Sequence, residues 1–542
     1  MSFKILYYFI LFLNFSLLFS FKCGHDKIKQ TPKILNDSII INNSTRRLDS
    51  YHSISFFVDY TQMDSDGYGT SSYRSFIKNS ISTSLKVFSE LLKVKRSGKL
   101  SISRPTECSS KITKYDSSIK NGVDYDIILI PIIDPNLEDG VDAAASACFL
   151  EPSTNRPIMG YVLLNKNYAY TKINAQEFLT MLLLHEITHV LVFSDDLYEH
   201  FQYSGDVTTT QTINGVSRTL IQTTKVKKAA SKHFGCSSVV GVELENQGGE
   251  GSAGSHWEAR IMLGDYMIST DYPEIVISDI TLALFEDSGW YEVNYYTGGL
   301  FRFGKGQGCK FLTSSCLSSG ESNFEWDFCD TASEFKCTSN NLNRGFCYIT
   351  NYTSRLPEAY QYFDNAKKGG WEPVDYCPVT LSYSSSSYYF NGNCINGELD
   401  DYESSYPSSL GFSISESSIC IESSLIYSSD NSLSIYGYER AMCHKIKCNS
   451  NDKTITVDIG KTTIDCPTDG GYMEVDGYKG TIRCPPYNRV CTSKTYVGDS
   501  INAALNHITS LDSSNSNSKS YSFTIKVNFI LISLYIFLIL FI

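Results

Sequence analysis

The 542-residue sequence has no excess of basic residues: 46 Lys and Arg stand against 58 Asp and Glu, for a formal net charge of -12. Without a basic stripe to meet phosphates, nucleic acid is excluded as a partner. The sequence also lacks, at its C-terminal end, an apolar run long enough to cross a bilayer. Phe529 to Ile542 holds 14 residues, about 21 Å as a helix against roughly 30 Å of hydrocarbon. A crisp small-x-small cleavage site is missing near the other end. Lys4 followed by the apolar run Ile5 to Phe19 nevertheless has the order of a signal peptide, with a retained anchor as the alternative. The length exceeds one ordinary domain, and the acidic, 42% hydrophobic composition reads as a globular ectodomain of two or three domains.

Ahead of the C-terminal run lie the small polar residues Ser513 to Ser518, then a spacer containing Lys519 and Lys526. Small residues, a polar spacer and a hydrophobic tail compose a GPI-attachment signal, with a tilted tail helix as the alternative. Either version leaves the body of the protein outside the cell, attached to the membrane. Seventeen cysteines in a secretory chain imply a disulfide framework. Thirteen lie between Cys309 and Cys491, three between Cys108 and Cys236, and Cys23 stands apart. Because thirteen and three are both odd, at least one bridge joins those regions. The expected pairs are Cys236 with Cys309 and Cys108 with Cys148, which leaves Cys23 over.

Phe21 to Arg47 is a short segment with sequons at Asn36, Asn42 and Asn43, ending in the dibasic processing point Arg46-Arg47. Ile54 to Tyr60 reads as a strand, Ser71 to Val94 as an amphipathic helix, and Asp126 to Ile133 as a buried strand. Ile158 to Leu164 is a further strand candidate, and an edge strand there would bind an extended peptide by β-augmentation. The next helix is predicted to start at the N-cap Asn174, with Glu177 in the capping-box position, and to run through FLTMLLLHEITHVL without Gly or Pro. From Ser194 to Trp290 the pattern loosens, with a Thr-rich stretch and glycines at 248, 249, 251 and 254. From Gly308 the chain is cysteine-dense and short of long periodic segments, and Thr492 to Ser520 is a polar stalk.

His185 and His189 stand at i and i+4, so both project from one helix face and reach one Zn²⁺ at about 2.0–2.1 Å. Glu186 follows the first ligand, where a carboxylate takes a proton from zinc-activated water. Three candidates compete for the third ligand. Asp195 lies six residues past His189, His200 a few residues further, and His256 67 residues away in Gly254-Ser255-His256-Trp257-Glu258. The distant choice requires an inserted segment that returns to the cleft, and glycines nearby permit a close backbone approach.

At this point the sequence resembles leishmanolysin, the major surface protease family of metzincin-type zinc metalloproteases. The resemblance is carried by HEITHVLVFS (185–194), LENQGGEGSAGSHWEARIMLGDYM (244–267), ALFEDSGWYEVNY (283–295), GKGQGC (304–309), RPIMG (156–160) and KCGHD (22–26). It implies His185, His189 and His256 as ligands of one Zn²⁺ per chain and Glu186 as general base. It implies Met267 in the turn beneath the metal and Cys23 as the pro-segment cysteine whose thiolate caps the zinc of a zymogen. Asp195 then becomes a solvated turn residue and His200 a surface histidine.

The implied fold class is α+β. A metzincin-like catalytic domain (twisted sheet plus active-site helix), an inserted middle domain and a disulfide-rich, mainly β C-terminal domain are expected. The expected boundaries are a signal peptide at 1–20, a pro-segment at 21–47, catalytic residues 48–198, a middle domain at 199–300 and a cysteine-rich domain at 301–491. The stalk spans 492–520 and the hydrophobic tail 521–542. The implied function is a cell-surface endopeptidase acting on proteins and peptides. The sequence departs from the family in two places. Val192 stands where relatives carry Gly, and a β-branched residue there is strained by about 1–3 kcal/mol if φ must be positive. No Tyr follows two residues after Met267, so no transition-state donor is assigned there. The departure at Val192 favours the alternative, a surface adhesion protein on a degenerate protease fold. A secreted, unanchored enzyme is the third reading.

Overall fold

The computed structural model describes residues 22–28, 30–36, 39–40, 50–95, 98–138, 140–168, 175–247, 253–270, 272, 275–295, 300–382, 392–395, 397, 408–427 and 440–491. The signal-like run, the sequons at Asn42 and Asn43, Arg46-Arg47, the N-cap Asn174, the glycines at 248, 249 and 251, the stalk and the tail lie outside them. The described chain is a mixture of helices and sheets with eight disulfides. The expected pairs Cys108–Cys148 and Cys236–Cys309 are among the bridges, and Cys23 keeps its thiol.

Six strands make the first sheet: β1 (Lys22–Cys23), β2 (Lys33–Ile34), β3 (Phe56–Val58), β4 (Ile127–Asp134), β5 (Val141–Leu150) and β6 (Pro157–Asn165). Their order is β1-β5-β6-β4-β3, with β2 also on β5. Only β5 and β6 are antiparallel, joined by a short turn, and the other pairs are parallel. Strand β4 is buried along its whole length, so its sequence is a continuous apolar run. Its side chains still alternate by face. Ile127, Leu129 and Ile133 enter the large core, while Ile128, Ile130 and Ile132 enter a smaller one with Leu100, Ile112 and Ile119.

Two helices line the large core, α1 (Ser71–Leu91) and α2 (Ala175–Leu191), packed on each other, with α2 lying on β5 and β6. The first helix stops at Leu91, and Leu92–Val94 leaves it as a strand, shorter than the predicted helix end. In α2 every residue but Gln176 and Glu177 is buried, as expected of a helix apolar all round. Close approach of α2 to the sheet depends on Gly160 in β6, where an added Cβ would lie 2.4 Å from Val190 Cγ1. The expectation of an edge strand at Ile158 to Leu164 is corrected: β6 lies between β5 and β4. The side of β5 away from β6 is covered by β1 and β2, and small residues from Ala143 to Ala147 let β5 sit under α2.

The loosely patterned stretch after Ser194 is more ordered than its sequence suggests. It forms a hairpin of β7 (Thr208–Ile213) and β8 (Val216–Ile221), paired onward to β9 (Val242–Glu243). Helix α3 (Thr224–Phe234) packs on α4 (Asp279–Asp287). Periodicity missed α3 because only Val226, Ala230 and Phe234 face inward. Beyond residue 300 the regular structure is mainly short strands. The largest sheet there has six: β10 (Ser418–Ser423), β11 (Arg440–Asn449), β12 (Thr454–Ile459), β13 (Thr462–Cys466), β14 (Gly471–Met473) and β15 (Ile482–Cys484).

Candidate metal centre

Helix α2 carries His185 and His189 one turn apart, both buried. Each ring is oriented by a backbone carbonyl. His185 Nδ1 lies 2.7 Å from the Tyr266 oxygen, and His189 Nδ1 lies 2.6 Å from the Phe193 oxygen. A carbonyl only accepts, so each Nδ1 donates its hydrogen, and in the neutral ring Nε2 carries the lone pair. Those Nε2 atoms converge. His189 Nε2 is 3.0 Å from His185 Nε2, which is 3.1 Å from His256 Nε2.

Burial pushes both helix histidines well below the ordinary imidazole range, and the neighbouring imidazoles push the same way. Neutral rings whose lone pairs face one another at about 3 Å repel unless a cation lies among them. Cys23 completes the group, its Sγ 3.4 Å from His189 Nε2. The four ligand atoms lie within 4.8 Å of one another, and all four residues are buried. Three imidazoles and a thiol fit a metal, and such nitrogen and sulfur donors are those that zinc takes.

His256 reaches the cluster from an irregular strand. Its carbonyl accepts from Glu245 N at 2.8 Å, and the next residue, Trp257, donates its N–H to the Met267 carbonyl at 2.9 Å. Met267 is fully buried in the turn that also supplies the Tyr266 carbonyl to His185. Glu186, beside His185 on the helix, is fully buried as well. The other two third-ligand candidates lie outside the cluster. Asp195 is exposed, but its Oδ1 accepts from Ser255 Oγ at 3.3 Å, so it touches the neighbour of His256. His200 is half-buried rather than a surface histidine, with Nε2 3.6 Å from Glu199.

Cys23 arrives on β1, which adds to the edge of β5 in parallel, Cys23 opposite Ala143. At Gly24 the chain turns against β5 so closely that an added Cβ would meet Val141 Cγ1 at 2.9 Å and Ala144 Cβ at 3.0 Å. His25 follows, stacked on His189 with ring centroids 4.0 Å apart and planes 4° from parallel. Its Nδ1 donates to the Ala145 carbonyl at 2.6 Å, its Nε2 is 3.0 Å from Ser194 Oγ, and its backbone N–H points to Cys23 Sγ at 3.4 Å. The contacts of His25 and Tyr266 with His189 and His185 are not legible in the sequence, because no spacing rule links residues so far apart.

The helix ends without strain. Val192 is absent from the positive-φ residues among those described, and it is fully buried in the large core. The N–H groups of Val192 and Phe193 both reach the Thr188 carbonyl at 2.9 Å. The chain therefore leaves α2 without a left-handed residue. Tyr272, five residues after Met267, lines an apolar pocket beside His185 with Phe178, Met181, Leu182 and Ile275.

The sequence signature described as Leishmanolysin matches residues 64–497. Leishmanolysin of Leishmania tropica is 28% identical over 378 residues, 67% of this chain and 55% of that protein. The leishmanolysin homolog of Crithidia fasciculata is 27% identical over 453 residues, 80% of this chain and 66% of that protein. A leishmanolysin-like peptidase of Caenorhabditis elegans is 31% identical over 298 residues, 44% of this chain and 45% of that protein. The chain thus spans between about half and two thirds of the length of these relatives. The chain belongs to the leishmanolysin family of metalloproteases.

Proposed function

We propose that this member of the leishmanolysin family is a zinc endopeptidase on a metzincin-like fold, held latent by its own N-terminal segment. His185, His189 and His256 would hold the zinc, Glu186 would serve as general base, and Met267 would pack the turn beneath. The observation that carries the reading is the convergence of three histidine Nε2 atoms, with the tautomers of His185 and His189 set by carbonyls. Zinc, when bound, supplies the Lewis acidity that acidifies a water and polarises a scissile carbonyl. Glu186 sits next to His185 in a fully buried position, suited to moving one proton between that water and the departing amine.

The same geometry supports latency. Cys23 occupies the fourth corner of the cluster, and β1 and β2 cover the β5 edge, Lys22 opposite Val141 and Ile34 opposite Leu150. Removal of residues 21–47 would open both the metal and the edge. An extended substrate would then pair with β5 through its backbone and place an apolar side chain beside His185. The eight disulfides suit an oxidising, extracellular compartment. The terminal compositions read above would add a secretory signal and a lipid anchor, checked by release from cells with a phosphatidylinositol-specific phospholipase. With Val192 unstrained, the reading as a degenerate adhesion protein loses the feature that favoured it.

The test is a zinc assay on the full chain combined with casein digestion after proteolytic removal of the N-terminal segment. About one zinc per chain is expected, with cleavage only after removal. Glu186→Ala should keep the zinc and the fold yet lose roughly 10²–10⁴-fold in activity, the usual range for general acid–base catalysis. Folded protein that takes up no zinc would end the proposal.

A further inference from the structure

Below the candidate metal centre lies a fully buried carboxylate, Asp265. Its Oδ1 accepts the Met267 N–H at 2.8 Å. Its Oδ2 accepts the Thr281 hydroxyl at 2.7 Å and the Ser278 N–H at 3.3 Å. Thr281 Oγ1 in turn accepts the indole N–H of Trp257 at 2.7 Å. The direction of this relay is set by chemistry: an indole only donates and an ionised carboxylate only accepts. Burial pushes the Asp265 carboxyl up to about 6, and the hydrogen bonds it accepts oppose that rise, so it remains mostly ionised at neutral pH.

Both arms of the relay reach a histidine. Trp257 follows His256 directly, and its backbone N–H is tied to Met267. Tyr266, between Asp265 and Met267, gives its carbonyl to His185 at 2.7 Å and its hydroxyl to Thr188 at 2.8 Å. Behind the turn, Ser278 caps α4 through Thr281 N, which makes the start of that helix the wall against which the turn is pressed. His189 is oriented separately, by Phe193.

The geometry points to Asp265 as a positioning residue of the metal centre, one that holds His185 and His256 in register through Tyr266 and Trp257. This rests on the zinc reading given above. An apolar residue there would leave the Met267 N–H and the Thr281 hydroxyl buried without an acceptor. Asn would keep the shape, but its amide would present N–H groups to one of those donors.

The experiment is zinc competition against a chromophoric chelator on the full chain, with melting curves of each metal-free variant alongside. Asp265→Asn is expected to stay folded and to bind zinc about 10- to 100-fold more weakly, the range typical when a group orienting ligands is lost. Thr281→Val should weaken zinc by a smaller factor, and Thr281→Ser, which keeps the hydroxyl, should restore wild-type affinity. Folded Asp265→Asn protein with zinc affinity within about twofold of wild type would overturn the inference. If Asp265→Asn does not fold, equal affinities for Thr281→Val and Thr281→Ser would overturn it instead. Wild-type protein without zinc would sink the metalloprotease reading itself, a separate failure.

Discussion

The two halves of the described chain are held together in different ways. Up to about residue 295, long buried elements such as α1, α2, β4 and β6 enclose one large apolar core, and Cys108–Cys148 is the only disulfide internal to that part. Beyond residue 300, Phe303, Phe311, Phe328 and Val379 still join that core, while the short strands further on enclose small clusters and six disulfides tie this part. The candidate metal centre sits in the first half. Ligands must be held to within about half an ångström, and close packing on rigid helices and strands achieves this better than staples between short strands. The second half buries too little apolar surface per element to dispense with covalent links.

The halves share core residues, the Cys236–Cys309 bridge and one buried cation. Arg218 of β8 lies 3.2 Å from Glu258, 3.4 Å from Glu243 and 2.6 Å from Asp375 of the cysteine-rich half. Asp375 and Tyr376 both adopt left-handed backbone, φ 53° and 59°, as the chain delivers that carboxylate.

The sharpest way to break the comparison is therefore Arg218→Ala, which leaves three buried carboxylates facing one another. The expected cost is about 3–5 kcal/mol, read by chemical denaturation, with the single transition splitting in two. An unchanged single transition would show that the halves do not depend on this contact. Next in size is removal of one bridge from each half. Loop-closure entropy gives Cys337→Ser/Cys420→Ser and Cys108→Ser/Cys148→Ser similar losses, roughly 4 kcal/mol each. Scanning calorimetry should nonetheless separate them: the first pair should melt the cysteine-rich half alone, the second should lower one common transition.

The smallest effect concerns pH. Burial holds His233, in the first half, down to about 3 and His444, in the second, down to about 4. The unfolded chain protonates both near pH 6.5, so their contribution is complete above that value and shrinks as pH falls toward the folded values. Between pH 6.5 and 5 each should cost about 2 kcal/mol. His444→Gln should flatten the pH dependence of melting for the second half only, and an unaltered slope would count against this assignment.

Much of the first half was legible in the sequence because its signals are local. The apolar run in β4, the amphipathic face of α1 and the uninterrupted α2 each follow from period and composition. Odd counts on either side of a gap required a bridge between the regions, and the expected pairs Cys108–Cys148 and Cys236–Cys309 are both present. What failed did so for physical reasons. Strand β6 is a nearly continuous apolar run, which shows burial on both faces but not which strands flank it, and only its pairing with both β5 and β4 shows it to be interior. Val192 looked strained because relatives have Gly there, yet the doubled bond to the Thr188 carbonyl ends the helix at negative φ. Asp265 gave no signal, since a lone acidic residue in a loop is usually solvated.

The sequence by itself determined the helix that carries His185, Glu186 and His189, because an α-helix places i and i+4 on one face whatever surrounds it. It also marked Cys23 as the odd cysteine. Only the tertiary structure decided that His256 and Cys23 close around that pair, that carbonyls of Tyr266 and Phe193 turn two Nε2 lone pairs inward, and that β1 covers the β5 edge. Those contacts join residues up to 233 positions apart, Cys23 to His256. At that separation chain periodicity carries no information, and packing of the whole core sets which groups meet.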